Sequence, residues 1–184
     1  MVESTKPIVV ITGVSGYLGS HVALLFLKDG SYNVRGTVRD TKNPIKIEPL
    51  RKAFGDLFEN LTLVEADLND EASIFAALKG ANLVVHTASP FPLAAPRNEN
   101  DLINPAVNGT VSVMKACHAN KVSRVVITSS IVAIMACKPE DRPVDGKFSE
   151  QNWSNPVGDH IDPYPKSKTL AEQAAWEFQK NLPE

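Results

Sequence analysis

Five short runs rich in β-branched residues alternate with longer amphipathic segments along this chain. The runs are residues 8–12, 32–38, 61–66, 83–87 and 124–130. Each has the length and composition of a strand that is buried on both faces of a parallel sheet. Because parallel strands are joined by crossover connections, the alternation predicts an α/β fold with a Rossmann-type, doubly wound parallel sheet.

The segments between the runs have helical patterns. Residues 16–30 and 70–80 each close on a glycine suited to a helix C-cap, and the second segment opens on acidic residues. Residues 104–121 have apolar positions at three- and four-residue steps, which predicts one stripe along a helix. The residues of that stripe are Val107, Val111, Met114 and His118.

The composition is that of an ordinary globular protein. The 184 residues are 43% hydrophobic with a formal net charge of -2, which predicts one domain over residues 1–184 and offers no electrostatic attraction to nucleic acid or acidic membranes. Cys117 and Cys137 fit a reducing compartment better than a disulfide framework. The N-terminal apolar run is too short for a signal peptide or a membrane span, so the chain is predicted to be cytoplasmic. Its scattered histidines indicate no metal site.

A glycine-rich segment stands between the first predicted strand and the first predicted helix. It places Gly13, Gly16 and Gly19 at three-residue steps. Such a loop lets the backbone approach a pyrophosphate closely, while the helix N-terminus supplies N–H donors. The spacing is G-x-x-G-x-x-G rather than G-x-G-x-x-G, and a plain tight turn is the alternative. The position after a buried strand and before a helix favours dinucleotide binding.

The end of the second run indicates which dinucleotide is bound. An NAD-binding protein typically has Asp or Glu here to hold the ribose 2′-hydroxyl, whereas this chain has Arg39. A guanidinium suits a 2′-phosphate by charge and by stacking on adenine. The alternatives are a solvated surface arginine and a preference blurred by Asp40, whose carboxylate would repel a phosphate. We predict NADP(H) as the cofactor.

A tyrosine near the end of the chain is followed by two lysines. Residues four apart share one helix face, so Tyr164 is predicted to meet Lys168, and Lys166 to point elsewhere. If Asp162 is the N-cap, the two prolines that flank the tyrosine fall in the first turn, where backbone N–H groups have no intrahelical partner. A Tyr–Lys pair by itself is most often an exposed amphipathic contact.

Three motifs occur in a characteristic order, "TGVSGYLG" (12–19), "TSS" (128–130) and "YPKSK" (164–168). Together they resemble the extended short-chain dehydrogenases/reductases of the NAD-dependent epimerase/dehydratase superfamily. The pieces "TVRD", "HTASPF", "VVITSS", "NWS" and "KTLAEQAAWEF" most resemble the dihydroflavonol reductase and cinnamoyl-CoA reductase branch. The resemblance covers essentially the whole chain and implies an NADP-binding Rossmann domain over residues 1–184.

The resemblance implies reduction of a ketone or aldehyde to an alcohol on a Ser-Tyr-Lys site. Tyr164 would protonate the developing alkoxide, and an ammonium beside a phenol stabilises the phenolate. Lys168 supplies that ammonium and would also hold the nicotinamide ribose. The resemblance places Ser130 on the carbonyl oxygen, with Ser129 ranked second. Two serines at a strand end also commonly cap a helix or turn.

Further cofactor contacts follow from the same resemblance. Lys46 matches a second contact to the adenosine phosphate, and Asp67 and Leu68 match a pair at the adenine edge. The alternative for Asp67 is an N-cap of the following helix. The other implied contacts are Ser15, Tyr17 and Leu18 in the glycine loop, Thr87 at the end of the fourth run with Ala88 and Ser89 after it, and Thr128 within the fifth run.

The family normally has more chain after the tyrosine helix, and this part builds the substrate pocket. That C-terminal lobe is expected to be absent here, so an NADP(H)-binding module without turnover is the alternative to a reductase. A nucleotide-sugar epimerase or dehydratase shares the motifs, but "TVRD" and the NADP preference argue against it. In the long loop 89–101, Phe91 and Pro92 would line the substrate mouth or only stiffen the loop. The resemblance further implies a small carbonyl substrate and a homodimer through the 104–120 helix and the tyrosine helix.

Overall fold

The structure, a computed structural model, describes residues 6–91, 96–157 and 161–182. The chain divides into two compact units, the first with Met1–Ala88 and Lys115–Thr128, the second with Ser89–Met114 and Ser129–Glu184. Compact units of this kind also occur within single domains, so the single domain predicted over residues 1–184 stays a prediction.

The first unit contains a five-stranded sheet in which all neighbouring strands are parallel. The strand order is β3-β2-β1-β4-β5, so the direction of winding reverses at β1 and the predicted doubly wound Rossmann-type sheet is confirmed. The strands are β1 (Ile8–Thr12), β2 (Asn33–Val38), β3 (Leu61–Glu65), β4 (Leu83–His86) and β5 (Arg124–Ile127).

Burial differs between the centre and the edge of this sheet. In β1, Val9, Val10 and Ile11 have no exposed surface, as expected for a strand packed on both faces. β5 instead alternates between exposed and half-buried positions, and Val126 is 52% exposed. The prediction of full burial is therefore wrong for β5, which has a sheet neighbour on one side only among the described residues. The predicted run 124–130 was also too long.

Three helices connect these strands within the first unit. They are α1 (Tyr17–Asp29), α2 (Pro44–Phe54) and α3 (Glu71–Ala77), and a short 3₁₀ helix (Gly55–Asn60) follows α2. α1 ends on Gly30 in the left-handed region (φ 73°), which confirms the predicted cap. α2 was not predicted from the pattern. It begins at an Asn43 side chain that accepts the Ile45 N–H, followed by Pro44 at the first helical position.

The helix α4 (Asn100–Ala119) belongs to both units and starts four residues before the predicted segment. Of the predicted stripe only Met114 is buried, while His118 is exposed. The buried positions include Leu102, Ala106, Val113 and Ala116. The stripe was placed wrongly because small residues, which carry little hydrophobic signal, occupy much of the buried face.

The second unit also contains α5 (Val132–Met135), a 3₁₀ turn (Pro139–Asp141) and α6 (Pro163–Lys180). Asp162 is the N-cap of α6, so both prolines fall in its first turn as predicted. The buried Ser154 connects the loop before α6 to α5. Its hydroxyl donates to Val132 O at 2.6 Å and accepts from the N–H of Ala136 at 2.7 Å. Of the helices that the structure describes, none has the length and apolarity needed to cross a membrane.

Candidate functional site

The glycine loop follows β1 and precedes α1 in the first unit. Gly13 has a φ of +69°, and a Cβ at this position would lie 3.0 Å from the Cα of Ala88. A Cβ on Gly19 would lie 2.5 Å from Gly13 O and 2.8 Å from Thr87 Oγ1. The first glycine is therefore required by its backbone conformation and the third by the close approach of α1 to the strand ends.

The start of α1 offers backbone N–H donors to an anion. Gly16 is its N-cap without a side-chain capping bond, and the first turn carries no acidic residue. The N–H groups of this turn have no intrahelical acceptor, and the helix dipole is positive here. Tyr17 and Leu18, both predicted cofactor contacts, are exposed in this turn, where the Tyr17 ring lies 4.6 Å from that of His21. Such a helix start suits a phosphate.

A buried hydrogen-bond network fixes the strand ends beside the loop. The hydroxyl of Thr12 accepts from the N–H groups of Thr87 and Ala88, both at 3.1 Å. It also lies 2.7 Å from Nδ1 of His86. Because two N–H donors fill the acceptor positions of a hydroxyl, we assign its one hydrogen to His86, whose Nδ1 then carries no proton. Thr87 and Ala88, predicted cofactor contacts, are thus held to β1 by one side chain.

The predicted phosphate-binding residues meet around one cavity. It has a volume of about 130 Å³ and is lined by Ser15, Val38, Arg39, Asp40, Asn43 and Lys46. Within the described part of the chain, Arg39 and Lys46 form no ion pair. Asp40 accepts the Lys42 N–H at 2.8 Å, so one of its oxygens is bound within its own turn. The cavity therefore combines two unpaired cations with the glycine loop, a set suited to a phosphate.

The turn after Arg39 is tied to β3 by a carboxylate that the sequence analysis did not single out. Glu65 accepts from the N–H and the hydroxyl of Thr41 at 3.1 and 2.8 Å. These bonds, the backbone N–H first, lower the pKa of Glu65. The contact fixes the chain between Arg39 and Lys46.

The predicted adenine-edge pair follows β3. Asp67 accepts from the N–H and the side-chain amide of Asn69 at 2.8 and 3.0 Å. The N-cap of α3 is Asp70, which accepts from Ala72 and Ser73 N–H groups. The alternative role of Asp67 as an N-cap is therefore wrong. Its predicted contact with adenine, like that of the half-buried Leu68, stays a prediction.

The tyrosine and its lysine lie together at the start of α6 in the second unit. Lys168 Nζ is 5.9 Å from the centre of the Tyr164 ring and donates to Ser89 Oγ at 2.9 Å. Lys168 is 8% exposed, and burial lowers its pKa. Lys166 instead pairs with Glu99 at 2.8 Å. The prediction that Lys168 and not Lys166 shares the face of Tyr164 is confirmed.

The Tyr164 ring has a second neighbour. Phe91 packs edge-on against it with the ring centres 5.1 Å apart, and Phe91 is 70% exposed. The Tyr164 hydroxyl has no hydrogen-bond partner among residues 6–91, 96–157 and 161–182, so its proton is available to another molecule. Pro92, predicted beside Phe91 at the substrate mouth, lies outside the described residues.

The two serines after β5 have different partners. Ser129 donates to a carboxylate oxygen of Glu172, and Ser130 Oγ accepts the Val132 N–H at a long 3.4 Å. This weak bond is the turn cap anticipated as an alternative for the serines. No hydrogen bond joins Ser130 to Tyr164 or Lys168 in the described chain, and its catalytic role stays a prediction. Thr128 continues the ladder by donating its N–H to His86 O at 2.9 Å.

Sequence reasoning missed Glu172 as a partner of the serines. Its signal was its spacing, since Glu172 lies four residues after Lys168 on the same face of α6. Of the two cysteines, Cys117 is buried, and burial raises the pKa of its thiol to about 12. Within the described ranges, no group of three or more His, Cys, Asp or Glu side chains is placed to hold a metal ion.

Comparison with known proteins identifies the family. The model of the 3-beta hydroxysteroid dehydrogenase/isomerase family matches residues 10–180. A bifunctional dihydroflavonol 4-reductase/flavanone 4-reductase of Malus domestica is 37% identical over 177 residues, which are 94% of this chain and 49% of that protein. An anthocyanidin reductase ((2S)-flavan-3-ol-forming) of Vitis vinifera is 39% identical over 179 residues, covering 91% of this chain and 50% of that protein.

Among solved structures, reductases also match this chain. The yeast methylglyoxal/isovaleraldehyde reductase Gre2, complexed with NADPH, matches with a TM-score of 0.79 and 32% identity over 94% of this chain and 53% of that chain. Vestitone reductase from alfalfa (Medicago sativa L.) matches with a TM-score of 0.71 and 30% identity over 95% of this chain and 53% of that chain. The chain thus spans about half the length of the proteins it matches. It belongs to the 3-beta hydroxysteroid dehydrogenase/isomerase family, among the extended short-chain dehydrogenases/reductases, as its ordered motifs predicted.

Proposed function

We propose that this chain binds NADPH and acts as a reductase that converts a ketone or aldehyde into an alcohol. The observation that carries the proposal is the cavity lined by Arg39, Lys46 and Ser15 of the glycine loop. Neither cation has an ion-pair partner in the described chain. These two cations, Arg39 directly after β2 and Lys46 in α2, favour a dinucleotide with a phosphate on its adenosine ribose. The relatives are named reductases, and two structural neighbours, Gre2 of yeast and Gre2 of Candida albicans, were crystallised with NADPH.

The residues present fit such a cofactor. Gly13 and Gly19 let the glycine loop and α1 pack closely on the strand ends, where a Cβ would clash, and the N–H donors at the start of α1 suit a diphosphate. Arg39 and Lys46 would hold the 2′-phosphate, whereas NADH offers these cations no anionic group at that position. We therefore expect a preference for NADPH over NADH.

The chemistry at the second unit follows from Tyr164 and Lys168. NADPH, when bound, supplies the hydride. Tyr164, whose hydroxyl has no hydrogen-bond partner among the described residues, would give its proton to the carbonyl oxygen as the alkoxide develops. The ammonium of Lys168 would stabilise the resulting phenolate. An ammonium has three N–H donors, and only one is directed to Ser89, so two remain for the ribose of the cofactor.

The substrate class rests on the relatives and on the aromatic contact. One relative is named a dihydroflavonol 4-reductase/flavanone 4-reductase, and Gre2 is named for methylglyoxal and isovaleraldehyde. Phe91, exposed beside Tyr164, would contact the part of the substrate next to the carbonyl group. The homodimer and the cytoplasmic location stay predictions.

One experiment separates binding from turnover. Quenching of protein fluorescence gives the Kd for NADPH and for NADH, and the loss of NADPH absorbance gives turnover with a panel of aldehydes, ketones and flavanonols. We expect tighter binding of NADPH and turnover of at least one carbonyl compound. NADPH binding without turnover of any panel member would indicate a nucleotide-binding module instead. Equal affinity for both nucleotides would contradict the role given to Arg39 and Lys46.

A further inference from the structure

Along α6, Tyr164, Lys168, Glu172 and Trp176 follow one another at steps of four residues. Both oxygens of the Glu172 carboxylate are engaged. Oε2 accepts from the hydroxyl of Ser129, and Oε1 accepts from Nε1 of Trp176 at 3.3 Å. Glu172 is thus fixed from two sides, by its own helix and by the segment that follows β5.

The hydrogen bond to Glu172 determines whether the Ser129 hydroxyl can donate to another group. A serine hydroxyl has one hydrogen, and Ser129 gives it to a carboxylate, which is the stronger kind of acceptor. Ser129 therefore has no hydrogen left to donate to a substrate oxygen.

The Ser130 hydroxyl, in contrast, keeps its hydrogen available for donation. Its Oγ only accepts, from the Val132 N–H at 3.4 Å, and its own hydrogen has no acceptor among the described residues. Of two adjacent hydroxyls, one is committed to a carboxylate and the other is free to donate.

We infer that Glu172 is a positioning residue that selects Ser130 as the substrate-binding serine by occupying the hydrogen of Ser129. This inference rests on the proposed reductase function, because it concerns the hydroxyl that would bind the carbonyl oxygen. Glu172 itself touches neither substrate nor cofactor in this account. Without its carboxylate, Ser129 regains a free hydrogen and competes with Ser130 for the same oxygen from a displaced position.

Alanine variants of the two serines should differ in their effect on kcat. Ser130→Ala should lower kcat about 100-fold, the usual effect of removing one donor to a developing oxyanion. Ser129→Ala should keep kcat within about threefold of the wild type, since its hydrogen is not used on the substrate.

The decisive test is a double-mutant cycle on Ser129 and Glu172. Glu172→Ala should lower kcat about tenfold, and adding Ser129→Ala should restore kcat to the level of Ser129→Ala alone, because the competing hydroxyl is gone. The Kd for NADPH, measured by fluorescence, should not change in any of these variants. The matched control is Glu177→Ala, which removes an exposed carboxylate from the same helix and leaves kcat unchanged.

The outcomes separate the inference from the proposed function. If Ser129→Ala is as damaging as Glu172→Ala, the bond only holds the segment mechanically and the inference is wrong, while the reductase function stands. The same holds if Glu172→Ala keeps the wild-type kcat, or if the double variant shows no recovery although its circular dichroism and NADPH affinity are normal. A wild-type chain that reduces no carbonyl compound overturns the proposed function and this inference with it.

Discussion

Lys168 is nearly buried, and its ammonium donates a hydrogen bond to the neutral hydroxyl of Ser89 at 2.9 Å. No carboxylate pairs with it in the described chain. Burial of a charge without a counter-ion is unfavourable, which is why the pKa of Lys168 is lowered. The chain therefore keeps a destabilising cation beside Tyr164, where the proposed reaction needs positive charge.

We predict that Lys168→Met stabilises the protein and abolishes turnover. An apolar side chain of similar length removes the cost of burying the charge, and we expect the free energy of unfolding to rise by about 1 kcal/mol. Urea unfolding at neutral pH measures this change. Lys166→Met is the matched control, since Lys166 pairs with Glu99 at 2.8 Å and its loss should destabilise by about 0.2–1 kcal/mol. Destabilisation by both changes would contradict the account of Lys168.

The same lysine predicts a pH dependence. At a pH below the lowered pKa of Lys168 in the folded state, both the folded and the unfolded chain hold the proton. The folded chain then bears the full free-energy cost of burying the charged ammonium. Between that value and the ordinary 10.5, the unfolded chain binds more protons, so wild-type stability gains a contribution as pH rises. Lys168→Met lacks this contribution, so its advantage over the wild type should shrink in alkaline buffer. An advantage that stays constant up to the ordinary lysine pKa would argue against a burial-lowered pKa.

Arg39→Ala should weaken NADPH binding about 10–100-fold and leave NADH binding almost unchanged, because only NADPH has the phosphate that the guanidinium would bind. Fluorescence titration with both nucleotides measures this difference. Lys42→Ala is a suitable control, as Lys42 lies in the same turn but does not line the cavity. Equal losses for the two nucleotides would mean that Arg39 does not contact the phosphate.

Thr12→Val should destabilise the protein by about 1–3 kcal/mol, since Thr87 and Ala88 would each lose the acceptor of a part-buried N–H group. NADPH affinity should fall as well, because Ala88 lies against Gly13 of the glycine loop. Thr12→Ser, which keeps the hydroxyl, should restore the affinity. In contrast, Thr62→Val on the exposed face of β3 should change stability by less than about 0.5 kcal/mol. Failure of the serine variant to restore binding would count against the assigned network.

Gly19→Ala should destabilise the protein, although replacing glycine by alanine within a helix is usually stabilising. The added Cβ would lie 2.5 Å from Gly13 O, so the loop must shift, and we expect a loss of about 1–3 kcal/mol in stability with weaker NADPH binding. Gly16→Ala is the comparison, since its Cβ would be 3.3 Å from the same oxygen and should disturb the fold less. Thermal unfolding and fluorescence titration of both variants test this order.

The sequence predicted those parts of the fold and site that depend on local pattern. Alternating buried strands and amphipathic helices give the parallel sheet, and the four-residue step gives the contact of Tyr164 with Lys168. α2 was missed because its start depends on the Asn43 cap rather than on an apolar stripe.

Other features depend on tertiary packing and could not be predicted. The buried face of α4 uses small residues such as Ala106 and Ala116, so large apolar residues alone indicated the wrong stripe. The engagement of Ser129 by Glu172 joins residues 43 positions apart, and no local pattern reports it. The same applies to the Thr12–His86 contact across two strands.

The most direct test of the proposed reductase is NADPH oxidation by the wild type and by Tyr164→Phe, with the NADPH Kd measured on the same preparations. The wild type is expected to consume NADPH with a ketone or aldehyde. Tyr164→Phe should bind NADPH normally and lose at least about 100-fold in kcat. Equal rates for the two proteins, or a wild type that does not bind NADPH, would contradict the proposed function.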